Sequence, residues 1–223
     1  MCLIVLGWRT DPRYPLLVAA NRDEFHSRPA APAAFWRDRP TILAGRDLQA
    51  MGTWMGVSRS GRFAAVTNYR GAREPSAAES RGALVSAFLA GTATAAAYMA
   101  DVAARAPHYS GFNLLACDRQ ELWWMSNRDG APRRLEPGHY ALGNLLLDSP
   151  DVQPLKQRIA DTPAAVEPYF GVLAAAKIVN PQYGTRCSTV LLDAGSEIRY
   201  AERTFALDGA DDDTVHFQFT IPN

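Results

Sequence analysis

Short apolar runs separated by turn residues dominate the N-terminal third of the chain, and they predict strands in hairpins rather than long helices. Cys2 to Trp8 is a continuous apolar run of strand length, and Leu16 to Ala20 is a second one, joined through a turn at Asp11-Pro12-Arg13. Asn21-Arg22-Asp23-Glu24 follows where that second run stops. Antiparallel pairing sets the end of the second strand opposite the start of the first, so this polar cluster is expected beside Cys2. Pro29 to Pro40, rich in Ala and Pro, is expected to be an irregular surface excursion. Gly52 to Val57 and Arg62 to Thr67 predict a further hairpin over Ser60-Gly61, ending at Asn68.

The periodicity then changes. Leu84, Val85, Phe88 and Leu89 form a helical stripe behind a Ser80 cap, and Thr92 caps a second, Ala-rich helix carrying Tyr98, Met99 and Val102. Phe112 to Cys117 and Glu121 to Ser126 return to strand pattern. Trp123 and Trp124 must face opposite sides there, so both faces of that sheet carry cover. His139 to Gly143 predicts a short strand ending at Asn144. Ser149-Pro150 and Thr162-Pro163 each predict a helix start, with stripes through Val152, Leu155, Ile159 and through Val166, Tyr169, Phe170, Leu173. Pro181 to Arg186 reads as a loop. Ser188 to Asp193 and Ile198 to Arg203 predict a late hairpin, and Val215, Phe217 and Phe219 alternate at the end. Strands and helices in blocks argue an α+β fold with antiparallel sheets, in one domain over residues 1–223.

Charge narrows the function classes. Lys plus Arg equals Asp plus Glu at 23 each, so no basic surplus points to nucleic acid or an anionic membrane. No apolar run approaches the ~20 residues of a membrane span, and the start lacks the pattern of a signal peptide. The cysteines, Cys2, Cys117 and Cys187, are few, widely spaced and odd in number. They suggest a reducing, cytoplasmic setting rather than a disulfide framework. No C-x-x-C or H-E-x-x-H pattern is present, so no metal site is expected.

The candidate chemistry sits at strand ends. Cys2 is one residue behind Met1, and trimming of Met1 would leave it with both a nucleophilic thiol and a free α-amine that can act as its base. That amine titrates near ~8, so an appreciable share is neutral at working pH. Cys2, Arg22, Asp23, Asn68, Asn144 and Arg186 together make a candidate acyl-transfer site. An aspartate can orient the amine, asparagine amides can stabilise an oxyanion, and arginine favours thiolate.

Several pieces resemble a known family: Met1-Cys2, Asn21-Arg22-Asp23-Glu24-Phe25 with Arg28-Pro29, Gly45-Arg46-Asp47, Gly52-Thr53-Trp54, Thr67-Asn68-Tyr69-Arg70, Ser80-Arg81-Gly82, Gly111-Phe112-Asn113-Leu114-Leu115, and Gly184-Thr185-Arg186 with Ser188-Thr189. They are similar, in order and nearly end to end, to the NRDE family, relatives of the eukaryotic transport-and-Golgi-organisation protein two. The resemblance implies a four-layer αββα sandwich like that of N-terminal nucleophile hydrolases. It makes Cys2 the nucleophile and Asp23 the holder of the terminal amine, with Arg22 or Asn21 beside the thiol. Asn68 and Asn144 resemble the two asparagines of the oxyanion hole, and Arg186 the late arginine. Asn21, Glu24, Arg28, Arg46, Trp54 and Arg70 are candidate substrate contacts. Two positions depart from the family pattern: Ala50-Met51 where a glycine often precedes Gly-Thr-Trp, and Cys187 where serine is frequent.

Two functions follow as expectations. One is an amidohydrolase or acyltransferase acting through Cys2 on a small-molecule amide or thioester, with no cofactor required. The other, implied by the relatives, is a carrier of haem or of an acyl-CoA. Haem would need an axial ligand from His26, His108, His139, His216 or a cysteine. An acyl-CoA would need Arg22, Arg28, Arg46, Arg70 and Arg186 for its phosphates.

Overall fold

The computed structural model describes residues 2–71 and 79–222; Met1 lies outside the described residues. Contacts divide the chain into two compact units, one of Met1–Arg28, Pro137–Gly143 and Leu147–Asn223, the other of Pro29–Glu136 and Asn144–Leu146.

The first unit is a 6-stranded antiparallel sheet with two helices. Its strands are β1 (Leu3–Asp11), β2 (Tyr14–Phe25), β10 (Gly138–Leu142), β11 (Tyr183–Asp193), β12 (Glu197–Phe205) and β13 (Asp211–Thr220), in the order β10-β1-β2-β11-β12-β13. Helices α3 (Gln153–Ala160) and α4 (Val166–Ala174) cover one face. Leu3, Val5, Leu17, Ala19, Val190 and Leu192 point from the strands into that cover, meeting Leu155, Ile159, Phe170 and Leu173. These strand positions alternate, as a one-sided helix cover demands.

The second unit is a 7-stranded antiparallel sheet, in sequence order from β3 (Ala30–Phe35), β4 (Ile42–Asp47), β5 (Met55–Ser58), β6 (Phe63–Asn68), β7 (Phe112–Cys117) and β8 (Leu122–Ser126) to β9 (Asp129–Leu135). Helices α1 (Arg81–Ala90) and α2 (Ala95–Arg105) pack on it. Phe88 of α1 is buried, with the Tyr98 ring centroid 5.1 Å away and the Arg62 guanidinium 4.0 Å above its ring. Phe88→Ala is expected to cost about 3–5 kcal/mol. Urea titration should show a lower midpoint at unchanged slope.

The α+β expectation, with antiparallel sheets and helices in blocks, holds in each unit. Several boundaries are corrected. Pro29 to Pro40 is not an irregular excursion, because Ala30–Phe35 is β3. It is an edge strand with a register shift between Ala31 and Ala34, and an edge bulge is where a sheet tolerates Pro32. β9, another edge strand, lies in a stretch where no strand was expected. Thr94, rather than Thr92, caps α2, its side chain accepting from the Ala97 N–H at 3.2 Å. α4 begins at Val166, beyond the Thr162-Pro163 signal. Strand β11 takes in Tyr183 to Arg186, which read as a loop.

The correction with most consequence concerns β2. That strand runs on to Phe25, so Asn21-Arg22-Asp23-Glu24 lies inside it rather than past its end, and Asn21, Arg22 and Asp23 are buried. A solvated loop is thereby ruled out for these residues.

The glycine motifs of the second unit are explained by close approach. A Cβ on Gly52 would lie 2.6 Å from the Gly82 backbone carbon, where the Thr53 N–H donates to the Gly82 carbonyl at 3.3 Å. A Cβ on Gly45 would overlap the Trp54 indole. Gly52-Thr53-Trp54 and Ser80-Arg81-Gly82 thus seat the start of α1 on the sheet.

Candidate active site

In the first unit, Leu3 of β1 pairs with Asn21 of β2, which sets Cys2 at the level of Arg22. Cys187 of β11 pairs with Arg22 from the other side. The Cys2 thiol donates to the Asp23 carbonyl oxygen at 3.5 Å. That carbonyl also accepts from the Tyr183 hydroxyl at 3.1 Å, and the Asp23 carboxylate accepts from the Thr185 hydroxyl at 2.7 Å. The Thr185 oxygen in turn accepts the Ile178 N–H at 2.8 Å, in the segment that leaves α4. Asp23 is therefore held by two β11 side chains, at its carbonyl and at its carboxylate, and the Cys2 thiol shares the carbonyl.

Strand alternation splits the polar motif between two faces. Asn21 belongs to the helix-covered face. Its amide N–H donates to the Leu173 carbonyl at 3.1 Å, and its oxygen accepts from the Ser188 hydroxyl at 2.6 Å. Arg22 belongs to the other face, and its guanidinium lies 4.0 Å from Glu24. Arg28 approaches the same carboxylate at 3.9 Å. Arg186 sits at the register shift between Thr185 and Cys187, and its guanidinium donates to the carbonyls of Phe25, His26 and Arg28 at 3.3–3.4 Å. It clasps the exit of β2.

The remaining candidates lie in the second unit. Asn144 donates from its side chain to the Asn68 carbonyl at 2.6 Å, and its own carbonyl accepts the Arg70 N–H at 2.6 Å. Asn68, Arg70 and Asn144 are thus brought together, with the Asn68 side chain exposed. Asn113 secures the same segment, donating to the Thr67 hydroxyl at 3.2 Å and to the Leu145 carbonyl at 2.9 Å. Arg46 and Trp54 stand apart from that group. Arg46 forms a bidentate pair with Asp38, 2.8 Å for the bond from Nη2, and stacks 4.2 Å over Trp36. Its guanidinium holds the Asp38 carboxyl down at about 2.

Electrostatics at Cys2 favour the neutral thiol. Burial raises its pKa, and the negative charge of Asp23 adds to the rise, against a smaller opposing effect of Arg22. Such a thiol is not nucleophilic by itself and needs a local base. Cys187 is raised well above the ordinary thiol range by burial, with the Glu202 carboxylate next in importance. Glu202 is itself buried and accepts from the Thr189 hydroxyl at 3.3 Å. The expected outcome is unequal thiol chemistry: at neutral pH an alkylating reagent modifies Cys2 and leaves Cys187 untouched in the folded protein, as peptide mapping would show. The same raised pKa makes the neutral Cys187 a stabilising group below the unfolded thiol value of ~8.5. Stability should decline as pH rises above that value, and Cys187→Ala should flatten the decline.

Thr185 and Tyr183, which hold Asp23, were not among the residues singled out for chemistry. Thr185 stands within the Gly184-Thr185-Arg186 motif, and that was its only signal. Among the described residues no cluster of three or more His, Cys, Asp or Glu side chains could hold a metal ion. The candidate haem ligands are dispersed: His26 bonds the Asn180 carbonyl at 2.9 Å, and His108 lies 3.6 Å from Glu79. No helix among the described residues is long and apolar enough to cross a membrane.

Comparison with known proteins gives the family and the fold. The sequence pattern of the family "Transport and Golgi organisation 2" matches residues 1–167. The chain belongs to this family. The mouse Transport and Golgi organization 2 homolog is 31% identical over 99% of this chain and 99% of its own length. The human homolog is 32% identical, covering 98% of this chain and 96% of its own. Among solved structures, the Caenorhabditis elegans ortholog of N-acylethanolamine-hydrolyzing acid amidase aligns with a TM-score of 0.53 at 11% identity, covering 86% of this chain and 92% of its own. A mutant of the conjugated bile acid hydrolase from Clostridium perfringens also gives 0.53, at 10% identity, covering 98% of this chain and 97% of its own. These likenesses show the fold, and they bear out the N-terminal nucleophile hydrolase-like αββα class.

Proposed function

We propose that this protein is an N-terminal cysteine amidohydrolase or acyltransferase acting on the amide or thioester carbonyl of a small molecule. The observation that carries the reading is the Cys2 thiol 3.5 Å from the carbonyl of Asp23, whose carboxylate Thr185 fixes in place. Removal of Met1 would give Cys2 a free α-amine next to that carboxylate. The amine takes the thiol proton, and the sulfur attacks the carbonyl carbon. The proton passes to the departing amine or thiol. Water or a second acceptor then adds to the acyl-enzyme and releases Cys2. The step needs N–H donors for the oxyanion, the part that the resemblance gives to Asn68 and Asn144. Two proteins with a similar fold are an acid amidase for N-acylethanolamines and a hydrolase of conjugated bile acids. Both names support an amide as the first substrate class to try. A reducing compartment such as the cytoplasm suits a free Cys2.

The test is a panel of N-acyl amides and acyl thioesters assayed with the wild type and with Cys2→Ser. Turnover that is lost in the variant supports the reading. Absence of turnover, together with haemin or acyl-CoA binding that is equal in both proteins, would replace it with the carrier function.

A further inference from the structure

The helix-covered face of the 6-stranded sheet holds a cavity of about 190 Å³, lined by α4, β11, β12 and the start of β13. It lies on the opposite face of the sheet from Arg22. We propose that it is a binding site for a small organic anion, a carboxylate or phosphate group whose neighbouring carbon bears a hydrogen-bond donor. The site lies beyond the acyl-transfer chemistry and does not depend on it.

The charge distribution points to an anion. The cavity is lined by two cations, Lys177 and Arg203, and two acids, Glu167 and Asp211. The acids are at the rim, with side chains 67% and 61% exposed, whereas that of Arg203 is 22% exposed. Water therefore screens the negative charges more than the positive one. Arg203 is paired with both acids, Glu167 at 3.1 Å and Asp211 at 3.6 Å, and is held by the Thr214 hydroxyl at 3.2 Å and by stacking 4.4 Å from the Phe170 ring, so its charge is already met. Lys177 differs: its ammonium donates to the Gly209 carbonyl and lies 4.4 Å over the Phe205 ring, and no carboxylate among the described residues pairs with it. A carbonyl and a ring leave its charge uncompensated and at least one N–H to spare.

The floor adds the second requirement. Asn21 spends its amide N–H on the Leu173 carbonyl, so its oxygen must be the acceptor for Ser188. The Ser188 hydroxyl has thus given its proton away, and its remaining lone pair can only accept. A hydroxyl or ammonium next to the anionic group satisfies that lone pair while Lys177 meets the charge. The volume falls below the roughly 300–1,000 Å³ of drug-sized sites, which limits the ligand to a few carbons.

Calorimetric titration of the full chain with inorganic phosphate and with glycolate tests this. Saturable binding that weakens with added salt is expected for both probes. Lys177→Met should weaken both by on the order of tenfold or more. Ser188→Ala should weaken glycolate more than phosphate, and Cys2→Ser should bind like the wild type. Circular dichroism confirms that each variant is folded. No saturable binding of either probe by the wild type, or unchanged binding by folded Lys177→Met, overturns the proposal. Loss of binding in Cys2→Ser would instead place the ligand at the acyl-transfer site.

Discussion

Cys2→Ala is expected to lower turnover of an amide or thioester substrate by at least about 10⁴-fold while leaving the melting temperature nearly unchanged. The two halves of this expectation have separate causes. The thiol is the nucleophile of the proposed acyl transfer. Its contribution to the fold is small: Cys2 is only partly buried and its sulfur makes one long bond, 3.5 Å to a carbonyl. A companion variant separates orientation of the amine from activation of the thiol. Asp23→Asn removes a negative charge that raises the Cys2 thiol. The thiol should then alkylate faster at a given pH, yet turnover should fall, because the amine has lost the carboxylate that orients it. A simple thiolate enzyme would instead become faster on both counts. Rates of alkylation and of turnover, each followed against pH, make the comparison.

Asn21→Ala is expected to destabilise the fold by about 1–3 kcal/mol without removing the nucleophile. Asn21 is 2% exposed and serves two partners, the Leu173 carbonyl and the Ser188 hydroxyl. Truncation leaves the buried Ser188 hydroxyl without its acceptor, at about 1–3 kcal/mol, whereas the Leu173 carbonyl keeps the Ala176 N–H at 3.0 Å. For a chain of this size the melting temperature should drop by about 2–4 °C per kcal/mol. A thiol probe should still label Cys2 at temperatures where the variant is folded. This outcome follows from alternation along β2, which turns Asn21 toward α4 and Arg22 toward the other face. Had Asn21 stood beside the thiol, the variant would lose labelling and keep its stability.

Much of the fold could be read from alternation and turn chemistry. The β1–β2, β5–β6, β7–β8 and β11–β12 hairpins each combine apolar strands with residues that accept a tight turn, among them Gly61 at φ 79° and Gly195 at φ 81°. The edge strands β3 and β9 could not be found this way. Their sequences carry Pro, Ala and Arg in place of β-branched residues, and they persist because a neighbouring strand supplies the pairing. The polar motif was misplaced for a related reason. Four polar residues in a row suggest a loop, yet β11 supplies Thr185 and Ser188 to Asp23 and Asn21 across about 160 positions of sequence. Pairing of that range buries polar groups at little cost and leaves no local trace. The proximity of Cys2 and Asp23 was legible, because hairpin register alone brings them together. The means by which Asp23 is held was not.

Intact mass of the purified protein, before and after brief exposure to a thiol-directed acylating probe, tests the central claim most directly. The account predicts a mass lacking Met1 and a single adduct that disappears in Cys2→Ser. A retained Met1, or a Cys2 that takes no adduct, would contradict it.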